Sequence, residues 1–359
     1  MRIIVDVMGG DNAPLETVKG ACAAAAEYNA NFILVGDRSR IEQIALEEGL
    51  NLKRFEIVHT ETEITMEDDP LSVVRAKSDS SMSTALRLLA EGRGDAMVSA
   101  GNTGALFTGA TLIVRKIKGI QRAALATVLP MTPPVLLLDC GANVVVTEEY
   151  LEQFAVMGSV YMNKIYGLER PRVGLLNNGT EPTKGTDLQR AAYERLGRCP
   201  RIHFVGNVEG SGLTQNACDV LVTDGFTGNI MLKAVEGMGR LMVNAVKDVF
   251  FANKLTMVSG LMVKKQLSSM KKNFDATEHG GAPLLGISKP VIKAHGSSNA
   301  NAFKNAIRQA IACCNNGITY DIAEAAAEFA AQKKREKEAL AAQKEEAQSA
   351  NENSKEEVK

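Results

Sequence analysis

No C-x-x-C pair and no Cys/His zinc spacing occurs in this sequence. Its six cysteines, Cys22, Cys140, Cys199, Cys218, Cys313 and Cys314, are scattered, and the adjacent pair cannot easily close on itself. That excludes a disulfide framework and a zinc signature. Net charge is almost absent, −1 over 359 residues, which argues against sequence-wide attraction to nucleic acid, and no nucleic-acid partner is expected. There is no signal peptide and no long apolar span: the chain opens directly on a strand-like run, Ile3-Ile4-Val5. The expected location is therefore cytoplasmic, with any membrane contact peripheral. Two nucleotide signatures are missing as well. No G-x-G-x-x-G follows the first strand, which disfavours a Rossmann dinucleotide site. The loop in Val173 to Thr186 places Lys184 before its glycine, against the G-x-x-x-x-G-K-[ST] order of a P-loop.

What is present is ordinary globular material, 45% hydrophobic and 23% charged, long enough for one large or two moderate domains. Short apolar runs alternate with helical stretches: Ile3–Val5, an Ala-rich helix after Pro14 to about Tyr28, Phe32–Val35, a charged helix to about Glu48, then Phe55–His59. This β-α-β-α-β order predicts an α/β fold with a largely parallel sheet. Helices are expected over Pro70–Lys77, Ser83–Glu91, Ala105–Lys116, Glu148–Tyr166, Asp187–Leu196 and Ala302–Cys314, and strands over Ala124–Leu129 and Val135–Leu138. Seven apolar runs end in Gly, Asn, Ser, Thr or Asp. In a parallel sheet such ends share the carboxyl edge, where ligands bind. Each alone is merely a turn. Together they predict a cleft lined by backbone N–H groups and amides, suited to an anion or a carbonyl.

Residues 230–274 read differently. Met231, Val235, Met238, Met242, Ala245 and Val249 recur at helical spacing, and a second stripe follows at Leu267, Met270 and Phe274. The expectation is a protruding helical hairpin that buries its bodies against a second copy. Its apolar tip, with Leu255, Val258, Leu261 and Met262 framed by Lys254, Lys264, Lys265, Lys271 and Lys272, suits an anionic membrane surface, and the same lysines suit an acidic protein. Residues 1–322 are expected to form the domain. Residues 323–359 read as a charged Ala/Glu/Lys tail, helical to Ala342 and disordered beyond.

Six segments in order then carry a specific resemblance. They are Asp6-Val-Met-Gly-Gly-Asp11, Ser99-Ala-Gly-Asn-Thr-Gly-Ala105, Asp139-Cys-Gly-Ala-Asn143, Gly179-Thr-Glu-Pro-Thr-Lys-Gly185, Thr223-Asp-Gly-Phe-Thr-Gly-Asn229 and Lys293-Ala-His-Gly-Ser-Ser298. From Met1 to about Ile318 the sequence closely resembles the bacterial acyl-acyl carrier protein:phosphate acyltransferases known as the PlsX family. The resemblance implies a three-layer α/β/α fold related to isopropylmalate dehydrogenase and phosphotransacetylase, and a homodimer. It implies transfer of a fatty acyl group from acyl carrier protein to inorganic phosphate without a cofactor. The acyl phosphate product would pass to a membrane glycerol-3-phosphate acyltransferase that makes lysophosphatidic acid. Peripheral association with the inner face of the cell membrane through the hairpin is also implied. Lys184 and Asn229 match the family's catalytic lysine and asparagine.

The residue chemistry agrees with that activity. Phosphate is already an anionic nucleophile and a thiolate a tolerable leaving group, so neither a Ser-His-Asp triad nor a metal is required. The reaction needs a desolvated, oriented phosphate and donors for the oxyanion. Lys184 offers charge and Asn229 a neutral amide. Gly101, Asn102, Thr103, His295, Ser297 and Ser298 are the next candidate phosphate contacts by donor type, and Asn143 and Glu181 complete the candidate substrate contacts. His295 is either an acid–base group or structural, and Cys140 reads as packing in preference to an acyl-cysteine nucleophile. The competing readings are a metal-dependent decarboxylating dehydrogenase, a phosphotransacetylase using coenzyme A, and a non-catalytic scaffold for membrane and carrier protein. The dehydrogenase lacks a recognisable acidic metal cluster and adenine loop; the scaffold leaves the polar strand-end loops unexplained.

Overall fold

A computed structural model describes residues 1–253, 256, 257, 259, 263 and 280–331. The tip residues Leu255, Val258, Leu261 and Met262, the second hairpin stripe and the tail beyond residue 331 lie outside the described residues.

The strands are the apolar runs; the central ones are buried on both faces, as central parallel strands must be, while the edge strands Phe55–His59 and His203–Val208 are partly exposed. They are β1 (Arg2–Asp6), β2 (Asn31–Gly36), β3 (Phe55–His59), β4 (Ala96–Ser99), β5 (Ala124–Leu129), β6 (Val135–Leu138), β7 (Arg172–Leu176), β8 (His203–Val208), β9 (Val220–Val222), β10 (Ala282–Leu285) and β11 (Val291–Lys293). The helices are α1 (Leu15–Glu27), α2 (Arg38–Glu47), α3 (Ser81–Ala90), α4 (Thr103–Gly109), α5 (Glu148–Tyr166), α6 (Asp187–Arg198), α7 (Gly225–Phe251) and α8 (Ala300–Asn315). Many start where a polar side chain satisfies a free backbone N–H. Asp37 caps α2, Ser80 α3, Asn102 α4, Thr147 α5, Asp224 α7 and Asn299 α8. Apolar residues of α1, α5, α6 and α8 cover one face of the sheet, and those of α3, α4 and the first turns of α7 cover the other. The result is three layers, α/β/α.

Strand order is β3-β2-β1-β4-β11-β10-β5-β6-β9-β7-β8. Pairing is parallel from β3 to β11 and from β6 to β8. Between them lie three antiparallel pairings, β11–β10, β10–β5 and β5–β6. Three reversals leave the two parallel halves pointing in opposite directions. The sheet is largely parallel within each half, but it has two carboxyl edges instead of one.

Register brings those edges together. Lys293, the last residue of β11, sits opposite Ala282; Leu284 sits opposite Leu125; and Ala126 sits opposite Leu138, the last residue of β6. Two steps down β10 and one step back up β5 therefore set Leu138 within one residue of the level of Lys293, about 3.3 Å. The carboxyl ends of both halves meet at mid-height, across the short strands that join them.

Several local expectations need adjustment. Pro70–Val74 is a 3-10 turn, and the helix expected from Ala105 ends at Gly109 and passes into a π-turn over Ala110–Val114. α7 starts at Gly225, so Asn229 is its fifth residue, just past the first helical turn and not in a loop. Residues 318–331 are helical across the boundary expected at 322, with Ala325 and Ala326 buried.

α7 is 27 residues long and mostly uncovered; Ile230, Met238, Leu241, Met242, Val249 and Phe251 are exposed. Among the described residues no helix is long and apolar enough to cross a membrane.

Candidate active site

Where the two carboxyl edges meet there is a cavity of about 830 Å3. One wall comes from the half-sheet containing β1, β4 and β11: Asp11, Thr103, Lys293, His295, Ser297 and Ser298. The other comes from β5, the end of β6 and α7: Thr127, Cys140, Gly141, Asn229, Lys233 and Glu236. Further out, α7 lines the cavity with Arg240, Val243, Asn244 and Lys247.

The first wall is assembled from three loops that hold one another. Gly9 lies so close to the next strand-end loop that a Cβ there would meet Gly101 N at 2.7 Å and Asp6 Oδ2 at 2.8 Å. Only glycine permits that approach. Asp6 is fully buried and accepts from Ser99 Oγ at 2.6 Å and from Met8 N at 3.3 Å, while burial pushes its carboxyl above the usual range. Asp11 N–H donates to Gly296 O at 2.8 Å, and the Asn12 amide donates to the Ser297 and Ser298 carbonyls. These contacts fasten the β1 loop to the β11 loop.

Asn102 serves this framework. Its Nδ2 donates to the carbonyls of Thr65, Met66 and Asp68, and its Oδ1 caps Ala105 N. Its amide is thus occupied by protein, and it sets the start of α4 from which Thr103 reaches the cavity. Gly101 is buried beneath the same loop.

The second wall depends on Asp139. Buried, it accepts from Leu125 N (3.0 Å), Ala142 N (3.1 Å), Asn143 N (2.7 Å) and Asn143 Nδ2 (2.8 Å). Asn143 also donates to Ala123 O, and its own carbonyl accepts from Gly225 N at 2.7 Å. Like Asn102, Asn143 is committed to the framework. Gly228 then seats the first turn of α7 on the Asp139 carbonyl so closely that a Cβ would lie 1.9 Å from its oxygen. One residue on, Asn229 faces Gly141, where a side chain would meet the Asn229 amide at 3.8–3.9 Å. Among the described residues the Asn229 side chain has no hydrogen-bond partner, which leaves this amide available to a ligand.

His295 is tied to its own loop. Its Nδ1 accepts from Ser297 N at 3.2 Å and pairs with Ser297 Oγ at 2.9 Å. A ring nitrogen that accepts a backbone N–H carries no proton, so the neutral ring bears its hydrogen on Nε2. Burial first, then the charge of Lys233, hold its pKa below the ordinary histidine value. It is therefore a neutral donor at neutral pH.

Cys140 is buried, hydrogen-bonded with Thr127 Oγ1 at 3.0 Å and donating to Leu125 O at 3.1 Å. Desolvation pushes its thiol up to about 12. A thiol held protonated is a poor nucleophile.

Of the residues singled out from sequence, Thr103, Asn229, His295, Ser297 and Ser298 line one cavity. Lys184 and Glu181 do not. Both are exposed on the loop after β7, where Lys184 N donates to Glu181 O, and Lys184 O accepts from Asn177 Nδ2. Lys293, Lys233, Glu236 and Asp11 also line the cavity and are not singled out by sequence. Lys293 opens the segment Lys293-Ala-His-Gly-Ser-Ser298, but a lysine ending a strand carries no mark of being buried. Among the described residues no group of three or more His, Cys, Asp or Glu could hold a metal ion.

A family model described as "Fatty acid synthesis protein" matches residues 1–320. The chain is 42% identical over 324 residues to the phosphate acyltransferase of Clostridioides difficile (strain 630), covering 90% of this chain and 95% of that one. It is 44% identical over 312 residues to the phosphate acyltransferase of Oceanobacillus iheyensis, covering 86% and 92%. Among solved structures, a phosphotransacetylase from Streptococcus pyogenes superposes with a TM-score of 0.60 at 18% identity, over 88% of this chain and 94% of that one. The EutD phosphotransacetylase from Staphylococcus aureus gives 0.57 at 16% identity over the same shares. Those two likenesses establish a shared fold. The family match and the curated relatives go further: this chain belongs to the fatty acid synthesis protein family, alongside proteins named phosphate acyltransferase.

Proposed function

We propose that this protein transfers a fatty acyl group from acyl carrier protein to inorganic phosphate, releasing acyl phosphate. The observation that carries the reading is the cavity where the two carboxyl edges meet. It presents the neutral donors Asn229 and His295, the hydroxyls of Thr103, Ser297 and Ser298, and the lysines Lys233 and Lys293, beside a cysteine held as a thiol. These are groups for binding an anion and a carbonyl, not for forming an acyl-enzyme.

In this reading a phosphate oxygen attacks the thioester carbonyl carbon, and the carbonyl electron pair moves onto oxygen. The tetrahedral intermediate collapses by breaking the C–S bond, and the thiolate leaves on the carrier. Asn229 donates to the oxyanion, the role in which one fixed donor is worth about 10²–10³ in turnover. Lys184, reaching from the loop after β7, supplies charge to the phosphate or oxyanion as substrate enters. Acyl phosphate is a mixed anhydride and retains the activation of the thioester. A membrane glycerol-3-phosphate acyltransferase consumes it to make lysophosphatidic acid.

The test is incubation with acyl-acyl carrier protein and labelled phosphate, and separately with acyl-coenzyme A. Acyl phosphate should form faster from the carrier protein. Formation only from coenzyme A would make the protein a phosphotransacetylase, and no formation would leave it a scaffold.

The exposed apolar residues of α7 support a homodimer in which two copies cover them. The sequence of the hairpin tip supports contact with anionic membrane. Acidic substitutions at Leu261 and Met262 should release the protein from anionic vesicles in a flotation assay with soluble activity retained; unchanged flotation would place the contact elsewhere.

A further inference from the structure

Lys293 stands out among the charged groups of the cavity. It is 8% exposed, and lysine is almost never buried to this degree without a partner, because desolvating an ammonium is costly. Its Nζ donates to Ala100 O at 2.9 Å and to Ala294 O at 2.5 Å. Among the described residues no carboxylate lies within ion-pair distance of it. Asp6, one of the two acids that act on it electrostatically, is engaged by Ser99 Oγ and Met8 N. An ammonium has three N–H donors, so one is left, and the residue lines the cavity.

We propose that Lys293 is the cation that seats the attacking phosphate: its third N–H donates to a phosphate oxygen, and the bound anion is the counter-charge that its burial lacks. This assignment rests on the acyl-transfer reading above and deepens it. The position fits the chemistry. Lys293 ends β11, within one residue of the level where β6 ends, so it lies in the wall facing Asn229. A phosphate held there and a carbonyl held by Asn229 lie on opposite sides of one gap, as in-line attack requires. The purely structural alternative makes Lys293 a staple between the β4 and β11 carbonyls, with no ligand at its third N–H.

The charged and titratable groups around it are Asp6 on β1, Asp11 in the loop that follows, Lys233 and Glu236 on α7, and His295 two residues on. Burial holds the Lys293 ammonium down to about 8; Asp11 and Asp6 act to raise it and Lys233 to lower it. Only the protonated form is a counter-charge. Phosphate binding should therefore be full below pH 8 and weaken above it, by roughly tenfold per pH unit once the ammonium is mostly neutral.

Direct phosphate binding, followed by calorimetry on the full chain without any acyl donor, tests the proposal apart from catalysis. Lys293→Met preserves the apolar stem and removes the charge. It should weaken phosphate binding by about 10–100-fold, the range for losing a charge-assisted hydrogen bond, while binding of acyl-acyl carrier protein stays within about twofold, an order-of-magnitude margin for an untouched site. A folded Lys293→Met protein that binds phosphate like the unmodified chain overturns the proposal. Should that variant fail to fold, the pH profile of the unmodified protein decides: phosphate affinity that stays flat from pH 7 to about pH 9.5, well past the lysine's pKa, overturns it equally. Phosphate binding that depends on Lys293 in a protein forming no acyl phosphate would leave this inference standing and sink the acyl-transfer reading.

Discussion

Asn229 and Cys140 line the same cavity and are predicted to behave oppositely. Among the described residues the Asn229 amide has no hydrogen-bond partner, and it stands on a helical turn clamped from below. Asn229→Ala should lower turnover about 10²–10³-fold, as loss of a single oxyanion donor does, with little change in melting temperature. Lys184→Ala should also lose most acyl-phosphate formation while keeping the fold, since its side chain is exposed. Near-normal turnover in either variant removes that residue from the mechanism. Cys140, its thiol held up near 12, should tolerate alanine with turnover within a fewfold; loss of activity in a folded Cys140→Ala protein would revive an acyl-cysteine intermediate. Residue type made Asn229, Thr103 and the His295–Ser298 loop legible in sequence as site residues. It could not separate them from Asn102 and Asn143, which look alike on paper but have their amides occupied, Asn102 by three backbone carbonyls some thirty-five residues away and Asn143 by the Ala123 carbonyl and the nearby Asp139 carboxylate. Lys293 was illegible for the converse reason, since its burial is created by strands far away in sequence.

The element that decides the site is the first turn of α7, and one glycine positions it. Helix propensity alone says that Gly228→Ala should stabilise, by about 1 kcal/mol. The contact says otherwise: a Cβ would lie 1.9 Å from the Asp139 carbonyl oxygen. That oxygen cannot easily retreat, because Asp139 N donates to Thr223 O at 3.1 Å and its carboxylate is held by three backbone N–H groups. Overpacking against fixed backbone costs about 1–3 kcal/mol, so sterics should win. The expected result is a lowered melting temperature together with reduced turnover as Asn229 moves off the wall; a variant as stable and active as the parent would refute the clamp. Elements with strong patterns were readable from sequence. Residues 124–129, 135–138 and 148–166 fall where apolar run and helical period put them. β10 was not, since Ala282-Pro-Leu-Leu is four residues long and has no period to read. α7 was misjudged at its start, because Thr223–Asn229 has the composition of a loop and only the Asp224 cap commits it to helix.

At the scale of the whole molecule, the apolar side of α7 is the main unfinished surface. Leu241 is 60% exposed and Val249 64%, and a helix about 40 Å long at 1.5 Å per residue leaves a long stripe in water. If a second copy covers it, Leu241→Glu should shift sedimentation from dimer to monomer, with the cavity and its phosphate binding intact; a variant that still sediments as a dimer places the interface elsewhere. The α/β class was legible from the alternation of strands and helices, and its three layers only through the family resemblance. The opposition of the two half-sheets was not, because strand direction leaves no trace in composition and depends on three short pairings.

Those pairings also have a consequence for how the protein is made. β11 and β10 occupy the middle of the sheet, yet they come from residues 282–293, after all nine other strands in the sequence. Until they emerge from the ribosome, β4 and β5 are open edges of two separate sheets, each able to pair with a stranger. The last strands are the stitch that joins them, and the same stretch delivers Lys293 and His295. A chain cut short before this point therefore has neither a closed sheet nor one wall of its cavity, so an unfinished molecule is aggregation-prone before it is ever partly active.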